Sequence, residues 1–197
     1  MRNLLLWALC LSAGCFGRLN LPTQEELRPT LVKAFTFAQH GRRLADEDVK
    51  TLRKELKGQE LALFERLVSH LDSPCAEGDR VCGRKKIAEL ADLYRSWSEG
   101  DAPFEVELTA ASALFFVGQS ARQGGFDPAF AQSLIDEGTS RVEDLARRFP
   151  DEPMVYGQRA FIHTFVQEDR AIVHENIVKC LELDPTVEWC RKLARRY

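Results

Sequence analysis

The sequence has little excess charge of either sign and lacks the short motifs that mark common catalytic sites. Acidic and basic side chains nearly balance, at a formal net charge of −3 over 197 residues. Because a protein neutralises several DNA or RNA phosphates with clustered Lys and Arg, and no basic stripe is present, the sequence argues against nucleic-acid binding. The G-x-S-x-G, P-loop and Rossmann glycine patterns are also missing. We therefore expect a protein that is not an enzyme and that binds no cofactor.

Histidines are few and scattered. They stand at positions 40, 70, 163 and 174, without a His-x-x-x-His pattern or a carboxylate-rich partner motif. His163 and His174 could approach each other across a helical hairpin. We expect all four to be ordinary surface or edge residues, and we predict neither a catalytic residue nor a metal site.

Residues 1–14 have the pattern of a secretory signal peptide. Arg2 gives a weakly positive start, an apolar run covers residues 4–11, and Ser12, Ala13 and Gly14 are small. The apolar run is too short for a permanent membrane-spanning helix. We therefore leave residues 1–14 out of the predicted fold.

The end of this segment, Leu-Ser-Ala-Gly-Cys15, resembles the lipobox of bacterial lipoproteins. In that family a lipid with acyl chains such as palmitate is attached to the cysteine, and cleavage leaves this cysteine first. The family has Leu three residues before the cysteine, whereas Ser12 stands there. The resemblance implies lipidation of Cys15 and a short tether over residues 15–22. Phe16 in place of Asp favours the outer membrane, facing the periplasm. The alternative is an ordinary signal peptide cut nearby.

Four further cysteines form two close pairs, Cys75 with Cys82 and Cys180 with Cys190. An even number of cysteines in an exported chain favours disulfides, each worth at most about 2–3 kcal/mol because the closed loops are small. Zinc binding is the alternative. Neither pair has C-x-x-C spacing, and His70 is the only imidazole near the first pair.

Apolar residues recur at helical spacing along most of the chain, which predicts an all-α fold of antiparallel helical hairpins. A buried strand at residues 113–117 is an alternative, but no partner strand is evident. A loop is predicted over residues 72–83, and a turn at residues 101–103 divides an N-terminal helical part, 23–100, from a C-terminal part, 101–197. The predicted helices cover residues 24–39, 46–71 with a break at 57–58, 84–98, 104–123 and 128–148, two runs after residue 151, and a capping helix over 186–197.

Residues 151–197 resemble a tetratricopeptide repeat, a helix–turn–helix unit of 34 residues. When Pro185 is set at the family's near-terminal proline, Val173, Ile177 and Cys180 fall at its small and large apolar positions. The usual Leu-Gly pair is replaced by Ala160 and Phe161, so the glycine that allows close helix approach is missing there. A degenerate unit ends at residue 150. The resemblance implies a right-handed array of repeats, and a generic helical bundle is the alternative.

The resemblance implies a non-enzymatic envelope lipoprotein that docks protein partners as a scaffold or assembly factor, for example in secretion, pilus, motility or envelope-biogenesis machinery. A Cys180–Cys190 disulfide would then hold the capping helix on the last repeat. The first alternative is a periplasmic ligand-binding or enzyme-accessory protein with a pocket between helices 104–123 and 128–148. The second is a structural lipoprotein without a groove.

Overall fold

Every regular element that the structure describes is an α-helix, which confirms the predicted all-α class. The structure is a computed structural model that describes residues 34, 35, 38, 43–76, 78–100, 102–166 and 170–197. The strand alternative at residues 113–117 is wrong, because these residues lie inside a helix. None of the helices described is both long and apolar enough to cross a membrane. The helices are α1 Asp46–Glu55, α2 Gly58–Asp72, α3 Arg80–Trp97, α4 Phe104–Gln123, α5 Pro128–Arg148, α6 Pro153–Val166, α7 Arg170–Leu183 and α8 Glu188–Arg196.

Two predicted helix boundaries are confirmed together with their local cause. The break between α1 and α2 falls at Leu56 and Lys57, which have extended backbone, and Gly58 follows at φ +55°, a conformation that glycine adopts at little cost. At the start of α5, the Asp127 carboxylate accepts a hydrogen bond of 2.9 Å from the backbone N–H of Ala129. Pro128 occupies the first turn, where its missing N–H costs nothing.

The predicted loop over residues 72–83 is too long, because α3 begins at Arg80. The Asp79 carboxylate accepts from the backbone N–H groups of Val81 and Cys82 at 3.1 and 2.9 Å. This N-cap satisfies two donors of the first turn, so the helix starts before Gly83 rather than after it. Of the predicted helix at 24–39, only Ala34, Phe35 and Ala38 lie within the described residues, and all three are helical.

The chain divides into two compact units, Met1–Thr109 and Ala110–Tyr197. This division lies within α4, whereas the predicted boundary lies before it. In the first unit, the Phe35 ring stacks on Trp97 with ring centroids 4.0 Å apart, and the buried Tyr94 hydroxyl donates to the Phe35 carbonyl at 2.9 Å. These contacts tie Phe35 to α3. The buried core of this unit also includes Leu52, Leu56, Leu63, Phe64, Leu67, Ala91 and Leu93.

In the second unit, α6 and α7 form an extensively packed hairpin, and α8 packs on both of them. The three residues that the repeat pattern places inside, Val173, Ile177 and Cys180, are all buried. On α6, Val155 and Ala160 are also buried. The hairpin and α8 therefore share one apolar core.

Candidate functional site

Five aromatic side chains from three helices meet in the Ala110–Tyr197 unit, and we call them the aromatic cluster: Phe115, Phe116, Phe161, Phe165 and Trp189. Phe161 lies at its centre, with its ring centroid 5.5 Å from Phe116, 5.1 Å from Phe165 and 5.1 Å from Trp189. Aromatic pairs at such separations attract each other beyond what burial alone provides. The cluster therefore connects α4, α6 and α8 through side-chain contacts.

The aromatic cluster has a buried base and an exposed edge. Phe115 is fully buried and Phe161 is 6% exposed, whereas Phe165 is 39% exposed. Val166, the next residue, is 40% exposed, and Phe116 and Trp189 are half-buried. The last turn of α6 thus presents apolar side chains to solvent on a rigid support, as surfaces that bind other proteins commonly do.

Glycine at position 157 allows α8 to lie directly against α6. A Cβ atom on Gly157 would stand 2.8 Å from the Cys190 Sγ atom and 3.0 Å from the Trp189 ring. A larger side chain would therefore push α8 outward. Gly157 thus allows close approach to α8, one turn before the position of Phe161 where the repeat pattern would have its glycine.

Both predicted disulfides are present, and the zinc alternative is wrong because the four thiols are used in these bonds. Cys75 and Cys82 have Cα atoms 5.7 Å apart, and their bond joins the segment after α2 to the first turn of α3. Cys180 and Cys190 have Cα atoms 6.3 Å apart and are both fully buried. The second bond joins α7 to α8 and so fixes the helix that carries Trp189.

One carboxylate joins α5 to α6. Glu143 accepts a hydrogen bond of 3.0 Å from Arg159 Nε, and its second oxygen lies 2.8 Å from Arg159 Nη2. The His163 Nε2 atom lies 3.4 Å from Glu143, and no described residue hydrogen-bonds its buried Nδ1 atom. Our expectation of a surface histidine is wrong for His163, which is 7% exposed because its face of α6 packs towards α5. The group is an interhelical ion pair.

A second histidine lies between α2 and α3. Lys86 Nζ donates to the His70 carbonyl at 2.9 Å, and the His70 Nδ1 atom lies 3.5 Å from the Glu89 carboxylate. Burial, and after it the charge of Lys86, lowers the pKa of His70, and these effects outweigh the opposing effect of Glu89. His70 is therefore held in its neutral form near pH 7, at a position that joins two helices.

An open depression on the surface of α1 is lined by side chains of that helix alone. Arg53, one of them, donates two hydrogen bonds to the Glu65 carboxylate on α2, at 2.8 and 3.0 Å. These bonds lower the pKa of Glu65. The side chains of Asp46, Lys50, Arg53 and Lys54 are exposed to solvent, and Arg53 is paired with Glu65. The residues that line the depression are Asp46, Val49, Lys50, Arg53 and Lys54.

The helices that were expected to border a ligand pocket touch through their backbones. A Cβ atom on Gly138 of α5 would lie 2.5 Å from the Phe115 backbone nitrogen and 2.7 Å from the Ala111 carbonyl oxygen. A second contact between the same helices lies at Gly118 of α4, where a Cβ atom would lie 2.8 Å from the backbone nitrogen of Ile135. At Gly118 and Gly138, therefore, α4 and α5 leave no room for a ligand between them.

The cysteines predicted as site residues do not all lie together. Cys180 and Cys190 lie beside the aromatic cluster, Cys75 and Cys82 lie in the other unit, and Cys15 lies outside the described residues. The aromatic cluster was not predicted, although the i, i+4 spacing of Phe161 and Phe165 gave a partial signal. The chain matches no known family model, no curated protein and no solved structure.

Proposed function

We propose that the chain is a non-enzymatic envelope lipoprotein, anchored through lipid on Cys15, whose Ala110–Tyr197 unit docks a protein partner as a scaffold or assembly factor. The signal-like residues 1–14 and the lipobox-like cysteine support the anchor. Two disulfides support an exported location, because such bonds persist in oxidising compartments. The tetratricopeptide-like pattern of residues 151–197 supports a helical array with an interaction surface.

The observation that carries the docking role is the exposed edge of the aromatic cluster at Phe165. Rigid aromatic side chains bind partners well because they bury a large area and lose little conformational entropy. Phe165 is supported from below by Phe161, whose ring it contacts, so it does not need to reorganise on binding. The disulfide between α7 and α8 holds the helix whose Trp189 ring also contacts Phe161.

Site-specific photo-crosslinking tests this docking surface. A benzophenone amino acid replaces Phe165 in one variant and Val178 of α7 in the matched control, because both side chains are 39% exposed and both lie in the same unit. After irradiation of intact cells, we expect a discrete crosslinked protein from position 165 only. Equal crosslinking from both positions, or none from position 165, would contradict the proposal.

The anchor is tested separately with an alkyne analogue of palmitate. The chain should incorporate the label and fractionate with membranes, and Cys15→Ser should lose both properties. Intact-mass measurement should show that cleavage leaves Cys15 as the first residue. An unlabelled chain, or a labelled Cys15→Ser variant, would refute lipidation at Cys15. The docking proposal would be unaffected by that result.

A further inference from the structure

The two disulfides differ sharply in their access to solvent. Cys180 and Cys190 are both 0% exposed. Cys75 and Cys82 are half-buried, and the residues next to Cys75 on both sides, Pro74 and Ala76, are exposed. Thiol–disulfide exchange requires a thiolate to reach a sulfur atom of the bond, so access decides which bond can react in the folded protein.

The buried disulfide is covered by another helix. The α6 backbone passes so close to it that a Cβ atom on Gly157 would stand 2.8 Å from Cys190 Sγ. The Trp189 ring lies against the same glycine. A thiolate can therefore attack the Cys180–Cys190 bond only after α8 has moved away from α6, which costs the packing of both helices.

The accessible disulfide has a setting that favours an attacking thiolate. Cys82 is half-buried and lies in the first turn of α3. Partial exposure lets an external thiolate reach the bond, and a cysteine at a helix N-terminus leaves more readily as a thiolate than an ordinary one. The neighbouring carboxylate of Asp79 is engaged by two backbone N–H groups of the helix.

We propose that Cys75–Cys82 is a thiol–disulfide exchange site for a dithiol, either a small molecule or the exposed dithiol of an oxidoreductase. The first thiolate of the dithiol attacks one sulfur atom, the S–S bond breaks, and the other cysteine leaves as a thiolate. The second thiol of the reagent then attacks the mixed disulfide. The protein gains two electrons and two protons as two thiols, and the dithiol is oxidised to its disulfide.

Reduction at this site releases a loop and leaves the helices packed. The disulfide holds the segment between α2 and α3, whereas the helices themselves are joined by the bond from Lys86 to the His70 carbonyl and by buried apolar side chains. We therefore expect the reduced protein to keep its helical content. The exchange site can then cycle between two covalent states without unfolding.

The experiment follows both disulfides of one molecule during reduction. The purified chain is treated with a low concentration of dithiothreitol at neutral pH, samples are quenched with N-ethylmaleimide, and peptide mass spectrometry reports each disulfide. We expect Cys75 and Cys82 to be alkylated at least about a hundredfold faster than Cys180 and Cys190, because only the buried pair needs an opening of the fold. Circular dichroism should stay unchanged while the first pair reacts.

Two controls make the outcome decisive. In guanidinium chloride, where the fold is lost, the two disulfides should react at similar rates, which shows that burial causes the difference. The Cys75→Ser/Cys82→Ser variant should fold and should leave Cys180–Cys190 as resistant as before. Equal rates in the folded protein, or reaction of Cys180–Cys190 first, would overturn the proposal. Loss of helical signal together with reduction of Cys75–Cys82 would also overturn it.

Discussion

Replacing Gly138 with alanine adds one carbon atom where α4 and α5 touch. That carbon would lie 2.5 Å from the Phe115 nitrogen, and ordinary contact begins at 3.4 Å. The obstacles are backbone atoms of α4, which cannot rotate away as a side chain can. The two helices must therefore separate by roughly 1 Å, which loosens the dispersion contacts along their crossing.

Two opposing effects decide the size of the change. Alanine is favoured over glycine inside a helix by about 1 kcal/mol. Overpacking a core costs about 1–3 kcal/mol, and we expect the upper end here because the backbone is the obstacle. The free energy of unfolding of the Gly138→Ala protein should then be lower by about 2 kcal/mol. Exposed Ser140 on the same helix provides the control, since Ser140→Ala should be about 1 kcal/mol more stable than Ser140→Gly.

Fluorescence can report the unfolding of this unit alone. In the chain without residues 1–14, Trp97 and Trp189 are the tryptophans, so a Trp97→Phe background leaves Trp189 as the probe of the Ala110–Tyr197 unit. Urea titrations of the parent, Gly138→Ala, Ser140→Ala and Ser140→Gly proteins in this background give the differences in unfolding free energy. If Gly138→Ala is as stable as its parent or more stable, then α4 and α5 are not in backbone contact at Gly138.

Three further changes test other contacts. Cys180→Ala/Cys190→Ala should lower the unfolding free energy of the same unit by about 3 kcal/mol, because the crosslink restricts the unfolded chain; a loss below about 1 kcal/mol would contradict this. Because folded His70 has a pKa below its ordinary value of 6.5, the unfolded chain binds the proton more readily. The stability that neutral His70 contributes should therefore be full above pH 6.5 and be lost as the pH falls below it. The stability of the His70→Gln protein should fall less steeply with decreasing pH, and an equal slope would refute this role of His70. Glu143→Ala and Arg159→Ala should each lower the free energy of unfolding by about 1 kcal/mol, a value that is small because the pair is partly exposed. A double-mutant cycle should give a coupling energy of similar size, and simple additivity of the two effects would exclude the ion pair.

The helices were largely predictable because their signals are local. Asp127 with Pro128 marks the start of α5, and Gly58 marks the break between α1 and α2. The start of α3 was placed too late because Gly83 suggested a loop, whereas the Asp79 cap outweighs it. The disulfide pairing was also predictable, since each pair is close in sequence.

The candidate site was less predictable because it depends on packing between distant segments. Phe161 and Phe165 can be placed on one face of a helix from their spacing, but their contacts with Phe116 and Trp189 require the positions of three helices. The burial of His163 likewise depends on which neighbour its helix faces. Periodicity gives the face of a helix and not the identity of its neighbour.

If Cys15 carries a lipid as proposed, the contact of Phe35 with Tyr94 and Trp97 also limits how far this part of the first unit can stand from the membrane. From Cys15 to Phe35 there are about 20 residues, which span at most about 70 Å when fully extended. A lipid on Cys15 would therefore keep Phe35 within that distance of the bilayer. Proteins bound to the same membrane would then be encountered at a higher effective concentration than distant soluble ones.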